Sequence, residues 1–215
     1  MATNAKDLRV DYQADVLLEK DAPASPFTLF DRWFEEAKDS DDPEPNAMIV
    51  ATVNADGHPA ARTVLLKEVT DRGFIFYTNY DSRKGQEIDA HPHVAVVFNW
   101  LELQRSVRIE GRVEKVDEAH STEYFQSRPK KSQIGAWTSP QSQVIPDREF
   151  LDQRKEDLEK KYRDSEVLPK PDNWGGYIVV PEMIEFWQGR SSRLHDRLVY
   201  HPADNDNWKR ERLAP

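Results

Sequence analysis

The chain has 215 residues and a formal net charge of −9. It is long enough for a genuine core and carries the wrong overall sign for a nucleic-acid binder. It contains no cysteine, which excludes disulfides, thiolate metal sites and a Cys nucleophile.

No apolar run is long enough to span a bilayer and the first residues lack a signal-peptide apolar segment, so no membrane association and a cytoplasmic location are expected. Residues 1–22 are polar apart from Leu8, Val10, Tyr12, Val16, Leu17 and Leu18 and are expected to form a mobile N-terminal arm. The remainder, residues 23–215, is expected to be a single domain. Ser25-Pro26 reads as an N-cap with a first-turn proline, and Phe30, Trp33, Phe34 and Ala37 make a helical stripe ending near Lys38. Strands follow at Ala47 to Val53, Arg62 to Val69 and Phe74 to Thr78. They are joined by turns at Asn54 to Pro59 and Asp71 to Gly73. Ser82 caps a short helix from Arg83 to Ala90. Val94 to Leu101 and Val107 to Val116 form another antiparallel pair. Asp117 caps a helix through Phe125, Pro129 interrupts it, and a second short helix covers Ser132 to Trp137. Asp147 to Arg163 is an exposed, charged helix. Tyr177 to Val180, Ile184 to Gln188, Arg197 to Tyr200 and Trp208 to Leu213 return to strands. Consecutive strands with short turns predict an antiparallel sheet, mainly β with peripheral helices, that tends to close into a barrel.

Several cation clusters stand out on this acidic chain. Arg62 and Lys67 bracket the apolar run Val64, Leu65 and Leu66; simple alternation sends them to opposite faces, as solubilising strand-end charges or as ligand contacts on a bulged strand. Arg83 and Lys84 occupy the first turn of a helix, where cations oppose the helix dipole, and an anion bound at that terminus would remove the conflict. Tyr124 and Arg128 lie four apart on a helix with Ser132 just beyond, either a phosphate cradle or ordinary packing. If Arg193 to Tyr200 is a strand, Arg193, His195 and Arg197 share one face and Leu194, Leu198 and Tyr200 the other. That row is either solvated or matched to an anionic ligand. His91 and His93 lack a third ligand, so no metal is expected, and no P-loop, Gly-x-Gly-x-x-Gly or nucleophile-elbow motif occurs.

Taken together, these stretches closely resemble the pyridoxine (pyridoxamine) 5′-phosphate oxidases. The resemblance runs from about Phe27 to Pro215. It is carried by Arg62 to Lys67, Phe76 to Asn79, Ser82 to Lys84, Tyr124 to Pro129, Ser132 to Trp137, Trp174 to Gly176, Glu185 to Gly189, Arg193 to Arg197 and Arg212 to Pro215. It implies an FMN-binding split β-barrel, active as a homodimer with FMN at the interface, in which about residues 173–215 serve dimerisation and the active site. It implies FMN contacts from Arg62, Val64, Leu65, Leu66, Lys67, Tyr77, Thr78, Arg83 and Lys84. Gln141 and Ser142 would come from the partner, and Trp187 and Arg197 would lie beside the flavin ring. Lys67, Tyr124, Arg128 and Ser132 would hold the substrate phosphate, with Arg193 and His195 over the pyridine ring and Arg9 and Tyr12 reaching in from the arm. Arg193, His195 and Arg197 are the implied catalytic residues.

The implied reaction oxidises pyridoxamine or pyridoxine 5′-phosphate to pyridoxal 5′-phosphate, with O2 as acceptor and hydrogen peroxide as product, plus ammonia from the amine. His195 could accept a proton from the substrate. Two positions depart from the family pattern. Ser106 stands where a longer Gln often contacts the flavin, and Val10 stands where a basic residue can occur. A different split-barrel flavoprotein, a non-catalytic carrier and a cofactor-free structural dimer are the competing readings.

Overall fold

The computed structural model describes residues 8, 11–205 and 207–215; Arg9 and Val10 therefore lie outside the described residues. The strands are β1 (Ala47–Val53), β2 (Pro59–Leu65), β3 (Glu68–Val69), β4 (Phe74–Asn79), β5 (His93–Trp100), β6 (Arg105–Lys115), β7 (Trp174–Gln188), β8 (Asp196–Pro202) and β9 (Trp208–Arg212). The helices are α1 (Pro26–Lys38), α2 (Arg83–Ala90), α3 (Glu118–Ser127), α4 (Lys130–Thr138) and α5 (Arg148–Lys161). The strands hydrogen-bond in the order β2-β1-β5-β6-β7-β4-β3, with β8 beside β7 and β9 beside β8. This is an antiparallel, curled half-barrel sheet in an α+β fold.

Ser82 and Asp117 cap as the sequence implies: their side chains accept from the backbone N–H of Gly85 and His120 and start α2 and α3. Ser25 stands at the N-cap of α1 without a side-chain cap bond, and Asp147, read as the first residue of its helix, instead caps α5 by accepting from the Phe150 N–H. Two strands differ from the sequence reading. The stretch Arg62 to Val69 is two strands, β2 and β3, because Leu66 turns into the interior and Lys67 breaks the run. The stretches Tyr177 to Val180 and Ile184 to Gln188 are one strand, β7, whose pairing continues on either side of Pro181. Its first half pairs with β4, from Phe74↔Val179 to Asn79↔Trp174, and its second half with β8, from Ile184↔Tyr200 to Gln188↔Asp196.

Contacts divide the chain into two compact units, the first of which also takes in the N-terminal stretch. One comprises residues up to Val50 with Ala95–Gly111 and Pro181–Pro215. Its core is the apolar stripe of α1, with Phe30 edge-on to Phe98 at 5.0 Å and Trp33 edge-on to Phe186 at 5.2 Å. Arg105 is buried beside it, its guanidinium 4.5 Å from the Trp33 ring. It donates to Gln188 Oε1 at 2.7 Å and to Asp15 Oδ2 at 2.6 Å, and pairs with Glu36. The described part of the N-terminal stretch is tied to this unit. Gln104 Oε1 accepts from the N–H groups of Gln13 and Ala14 at 2.9 and 3.1 Å, Leu17 is buried, and Arg212 bonds Leu17 O and Glu19.

The other unit comprises Ala51–Val94 and Arg112–Val180. Phe125, Ile134, Leu168 and Trp174 form a buried cluster at which α3, α4 and the start of β7 meet. Helix α2 lies so close to the preceding turn that a Cβ on Gly85 would sit 2.0 Å from Tyr80 O, so only glycine fits there.

Because Trp33 is fully buried and touches both Phe186 and the Arg105 guanidinium, Trp33→Ala should cost about 3–5 kcal/mol. Urea unfolding of the variant against the parent protein measures this directly.

Candidate active site

The second unit encloses a cavity of about 660 Å³. Its walls come from β2 (Thr63, Val64 and Leu65), from Lys67 at the strand break, from β4 (Tyr77 and Thr78) and from Lys84 of α2. Tyr124, Arg128, Ser132, Gln141 and Trp174 complete it. Tyr77 stacks on Tyr124 with ring centroids 3.9 Å apart and lies nearly parallel to Trp174 at 5.4 Å. The Arg128 guanidinium sits 4.7 Å from the Trp174 ring.

Helical spacing is not what joins Arg128 to Tyr124. Helix α3 ends at Ser127, and Arg128 is its extended C-cap, which swings the guanidinium back so that Nη2 donates to the Ser132 backbone oxygen at 3.0 Å. Arg128 Nη1 and the Tyr77 hydroxyl are buried with no partner. A buried donor left unpaired costs on the order of 1–3 kcal/mol, so both atoms point to a polar ligand.

Lys84 is buried, and its ammonium donates to three neutral oxygens: Thr78 Oγ1 at 2.9 Å, Ser82 Oγ at 3.1 Å and Gln141 Oε1 at 2.8 Å. Burial, helped by the neighbouring Arg62 charge, pulls its pKa down to about 8. Burial likewise lowers Arg128 and raises Tyr77 and Tyr124. This cavity therefore holds cations whose charge is not cancelled by carboxylates in contact with them.

The other predicted residues of this unit lie around the cavity rather than in it. Arg62 and Arg83 both pair with Glu87, at 2.9 and 2.7 Å, which settles the first-turn charge conflict of α2 within the helix itself. Leu66 is buried away from the cavity. Arg83 and Ser142 line a neighbouring cleft of about 300 Å³ that shares Gln141 with the first. Gln141 reaches Lys84 and Thr78 of its own chain.

The first unit carries a separate cleft of about 420 Å³, lined by Val97, Asn99, Ser106, Arg108, Glu185, Trp187, His195, Arg197 and Pro215. Trp187 and Arg197 are opposite one another in the β7–β8 register. His195 packs on the Trp187 ring at 4.5 Å, and Tyr12 sits edge-on to Trp187 at 5.9 Å and tilted against His195 at 5.7 Å. A Cβ on Gly189 would fall 2.9 Å from the Tyr12 ring, so glycine there lets the N-terminal stretch approach. Ser106 does not reach across the cleft; its hydroxyl donates to Phe98 O at 3.0 Å.

The row Arg193, His195 and Arg197 is not one strand face. Strand β8 begins at Asp196, and Arg193 closes a short 3-10 turn in which Ser192 and Arg193 have φ of 57° and 61°. Leu194 is 70% exposed rather than buried with Leu198 and Tyr200. The cause is a side-chain bond that closes the loop: the Arg190 N–H donates to His195 Nδ1 at 3.1 Å. The neutral ring then carries its proton on Nε2 and offers the cleft a donor. Burial and the Arg193 charge hold the His195 pKa below the ordinary 6.5.

The sequence reading missed Glu87, Glu185 and Gln104. Glu87 had a signal in its i,i+4 spacing from Arg83. Glu185 had one in its two-residue spacing from Trp187.

A family model described as pyridoxamine 5′-phosphate oxidase matches residues 34–162, and one described as the pyridoxine 5′-phosphate oxidase C-terminal dimerisation region matches residues 174–215. The chain belongs to the pyridoxine/pyridoxamine 5′-phosphate oxidase family. A pyridoxine/pyridoxamine 5′-phosphate oxidase of Trichormus variabilis is 54% identical over 209 residues, covering 97% of each chain. One from Acaryochloris marina is 55% identical over 213 residues, covering 99% of this chain and 96% of the relative. The chain is thus an oxidoreductase of this family. Among solved structures, PhzG from Burkholderia lata, in complex with tetrahydrophenazine-1-carboxylic acid, superposes with a TM-score of 0.87 at 32% identity, covering 94% and 99% of the two chains. An FMN-binding protein related to pyridoxamine 5′-phosphate oxidase, from Nostoc punctiforme, shares the fold with a TM-score of 0.70 at 16% identity, covering 89% of this chain and 98% of its own. Within the described residues no helix is long and apolar enough to cross a membrane.

Two measurements follow from this geometry. Lys84 loses its charge as pH rises through about 8. Inorganic phosphate should therefore bind the large cavity more weakly at about pH 9 than at pH 7, and Lys84→Met should remove most of that dependence in calorimetry. Separately, Gln104→Ala removes the oxygen that both Gln13 and Ala14 donate to, so hydrogen exchange at those two amides should accelerate while the β-sheet amides stay protected.

Proposed function

We propose that this chain oxidises pyridoxamine 5′-phosphate and pyridoxine 5′-phosphate to pyridoxal 5′-phosphate, with FMN bound as cofactor and O2 as acceptor. The products are hydrogen peroxide and, from the amine, ammonia. The observation that carries the reading is the large cavity, where Lys84 and Arg128 meet buried, partnerless polar atoms beside a stack of aromatic rings. Its volume of about 660 Å³ falls in the usual range for cofactor sites, and its donors suit phosphorylated aromatic molecules. The near-full-length identity to relatives named as these oxidases supports the same reading.

FMN fits the residues present. Lys84, Thr78 and Gln141 would hold its phosphate, with Arg83 and Ser142 from the adjoining cleft, Arg62 braced behind them, and Val64, Leu65 and Tyr77 against its body. Lys67, Tyr124, Arg128 and Ser132 would hold the substrate phosphate. When bound, FMN supplies the two-electron acceptor that no side chain provides. The active form in this reading is a homodimer with FMN at the interface, supported by the match of residues 174–215 to a dimerisation region.

Trp187 would flank the flavin ring, and Arg193 and His195 would cover the substrate ring. A well-oriented pair of reactants can supply several kcal/mol of the barrier, about 7–11 at the limit. His195, neutral at neutral pH, would donate its Nε2–H to a substrate oxygen. For it to accept a proton instead, the Arg190 contact at Nδ1 must first break. Arg197, a permanent cation, would favour negative charge developing on the electron acceptor. Arg9 and Tyr12 would close the site from the N-terminal side.

Purified protein should be yellow and should release peroxide with each phosphorylated vitamer but not with its dephosphorylated form. A colourless protein, or turnover of an aromatic carboxylate in their place, would overturn the reading. Arg128→Ala should raise KM by roughly tenfold to a hundredfold, the value of one charged hydrogen bond, with a smaller effect on kcat. Loss of kcat at unchanged KM would contradict the assigned role.

A further inference from the structure

Two charged groups in the smaller cleft, Glu185 and Arg108, have no part in the reading above. Glu185 is 5% exposed on β7, two residues before Trp187 and so on the same face of the strand. Its carboxylate takes one edge of the Arg197 guanidinium in a bidentate grip, Oε1 accepting from Nε at 2.7 Å and Oε2 from Nη2 at 3.1 Å. Oε2 also accepts from Arg108 Nη2 at 2.7 Å. The third nitrogen of Arg197, Nη1, donates to the Ala214 backbone oxygen at 2.9 Å, and the Arg197 oxygen accepts from the Leu213 N–H at 3.0 Å. The guanidinium is thus held at every nitrogen, in one plane, at the wall of the cleft.

A buried carboxylate is costly unless paired, and a solvent-facing arginine needs no such partner. An arginine meant only to attract an anion would bind better without a negative neighbour. The arrangement makes sense if the direction of the guanidinium matters more than its bare charge. A bidentate grip removes the rotamer freedom of a long side chain and fixes which edge the cleft sees. The second guanidinium, Arg108, shares Glu185 and also faces Glu110 at 3.6 Å, so the charges of the cleft are balanced while the geometry is set.

We propose that Glu185 is a positioning residue that aims Arg197 and moderates the field of the Arg108–Arg197 pair. It acts through Arg197. The inference rests on the reading that Arg197 works beside the electron acceptor, and its test separates the two. Glu185→Gln keeps the shape and one acceptor; Glu185→Ala releases the fork.

The first readout needs no cofactor and no turnover. Phenylglyoxal labelling of Arg197 in the apo-protein, followed by peptide mass spectrometry, should run severalfold faster in Glu185→Ala than in the parent. Buried Arg105 serves as the unchanged internal control. The second readout is kinetic. In the flavin-loaded enzyme Glu185→Ala should lose about tenfold to a hundredfold in kcat, the scale of a misplaced catalytic group, with KM for the phosphorylated substrate within about threefold because the phosphate cradle is elsewhere. Glu185→Gln should lose less kcat and shift the flavin midpoint potential to more positive values, since a negative charge has been removed; a purely structural role would not move the potential in an enzyme of unchanged melting temperature. Unchanged Arg197 labelling in a folded Glu185→Ala overturns the grip. Faster labelling with unchanged kcat overturns its part in the reaction. If Glu185→Ala does not fold, Glu185→Gln decides: parent-like potential and kcat reject the proposal. If the parent protein neither binds flavin nor releases peroxide, the functional reading fails while the labelling still judges the grip.

Discussion

A buried charge is costly unless it meets a partner of opposite sign, and this constraint organises the structure. In the unit containing α1, Arg105 is matched by Asp15 and Glu36, and Arg108 and Arg197 share Glu185. In the other unit Arg62 and Arg83 share Glu87, and buried Lys170 reaches Glu118. Lys84 and Arg128 differ, for their hydrogen-bond partners among the described residues are neutral oxygens. Both face the same cavity. Two buried cations of an acidic chain thus face one cavity, where a phosphorylated ligand would be attracted despite the repulsive field of the whole molecule.

The two cavities consequently differ in chemistry. The larger has unsatisfied donors, lowered basicity at Lys84 and Arg128, and stacked rings. The smaller has its charges already balanced and its orientation set by strand register, with Trp187 opposite Arg197 and His195 resting on the indole. The first is suited to grip, the second to aim. The proposed reaction would use each for what its electrostatics favour.

Much of this was legible in the sequence because it depends on local rules. Ser82 and Asp117 offer side-chain oxygens that start helices in such contexts, and the stripe of α1 announces its buried face. The failures have equally physical causes. Pro181 splits β7 in a propensity reading, but pairing with β4 on one side and β8 on the other carries the strand through. The uniform apolar run after Arg62 conceals the break at Lys67, which places Lys67 but not Leu66 in the cavity. Alternation from Arg193 to Arg197 imitates a strand, yet the Arg190–His195 bond folds the first part into a loop. Arg128 does reach Ser132, through a cap conformation that no helical wheel contains. Partnerships across long separations, such as Asp15 with Arg105 or Glu185 with Arg108, leave no trace in spacing at all.

The backbone angles carry a last consequence. Among the described non-glycine residues, Gln104, Ser142, Ser192, Arg193 and Asn205 have positive φ. Asn205 lies in the turn between β8 and β9, where asparagine tolerates that conformation. The other four hold the N-terminal stretch, border the Arg83 cleft or form the loop beside His195. Each such conformation stores about 1 kcal/mol or more. Selection for thermal robustness would thus find its readiest gains beside the clefts and the N-terminal stretch, so under the proposed reaction hardier descendants of this chain would tend to be slower ones.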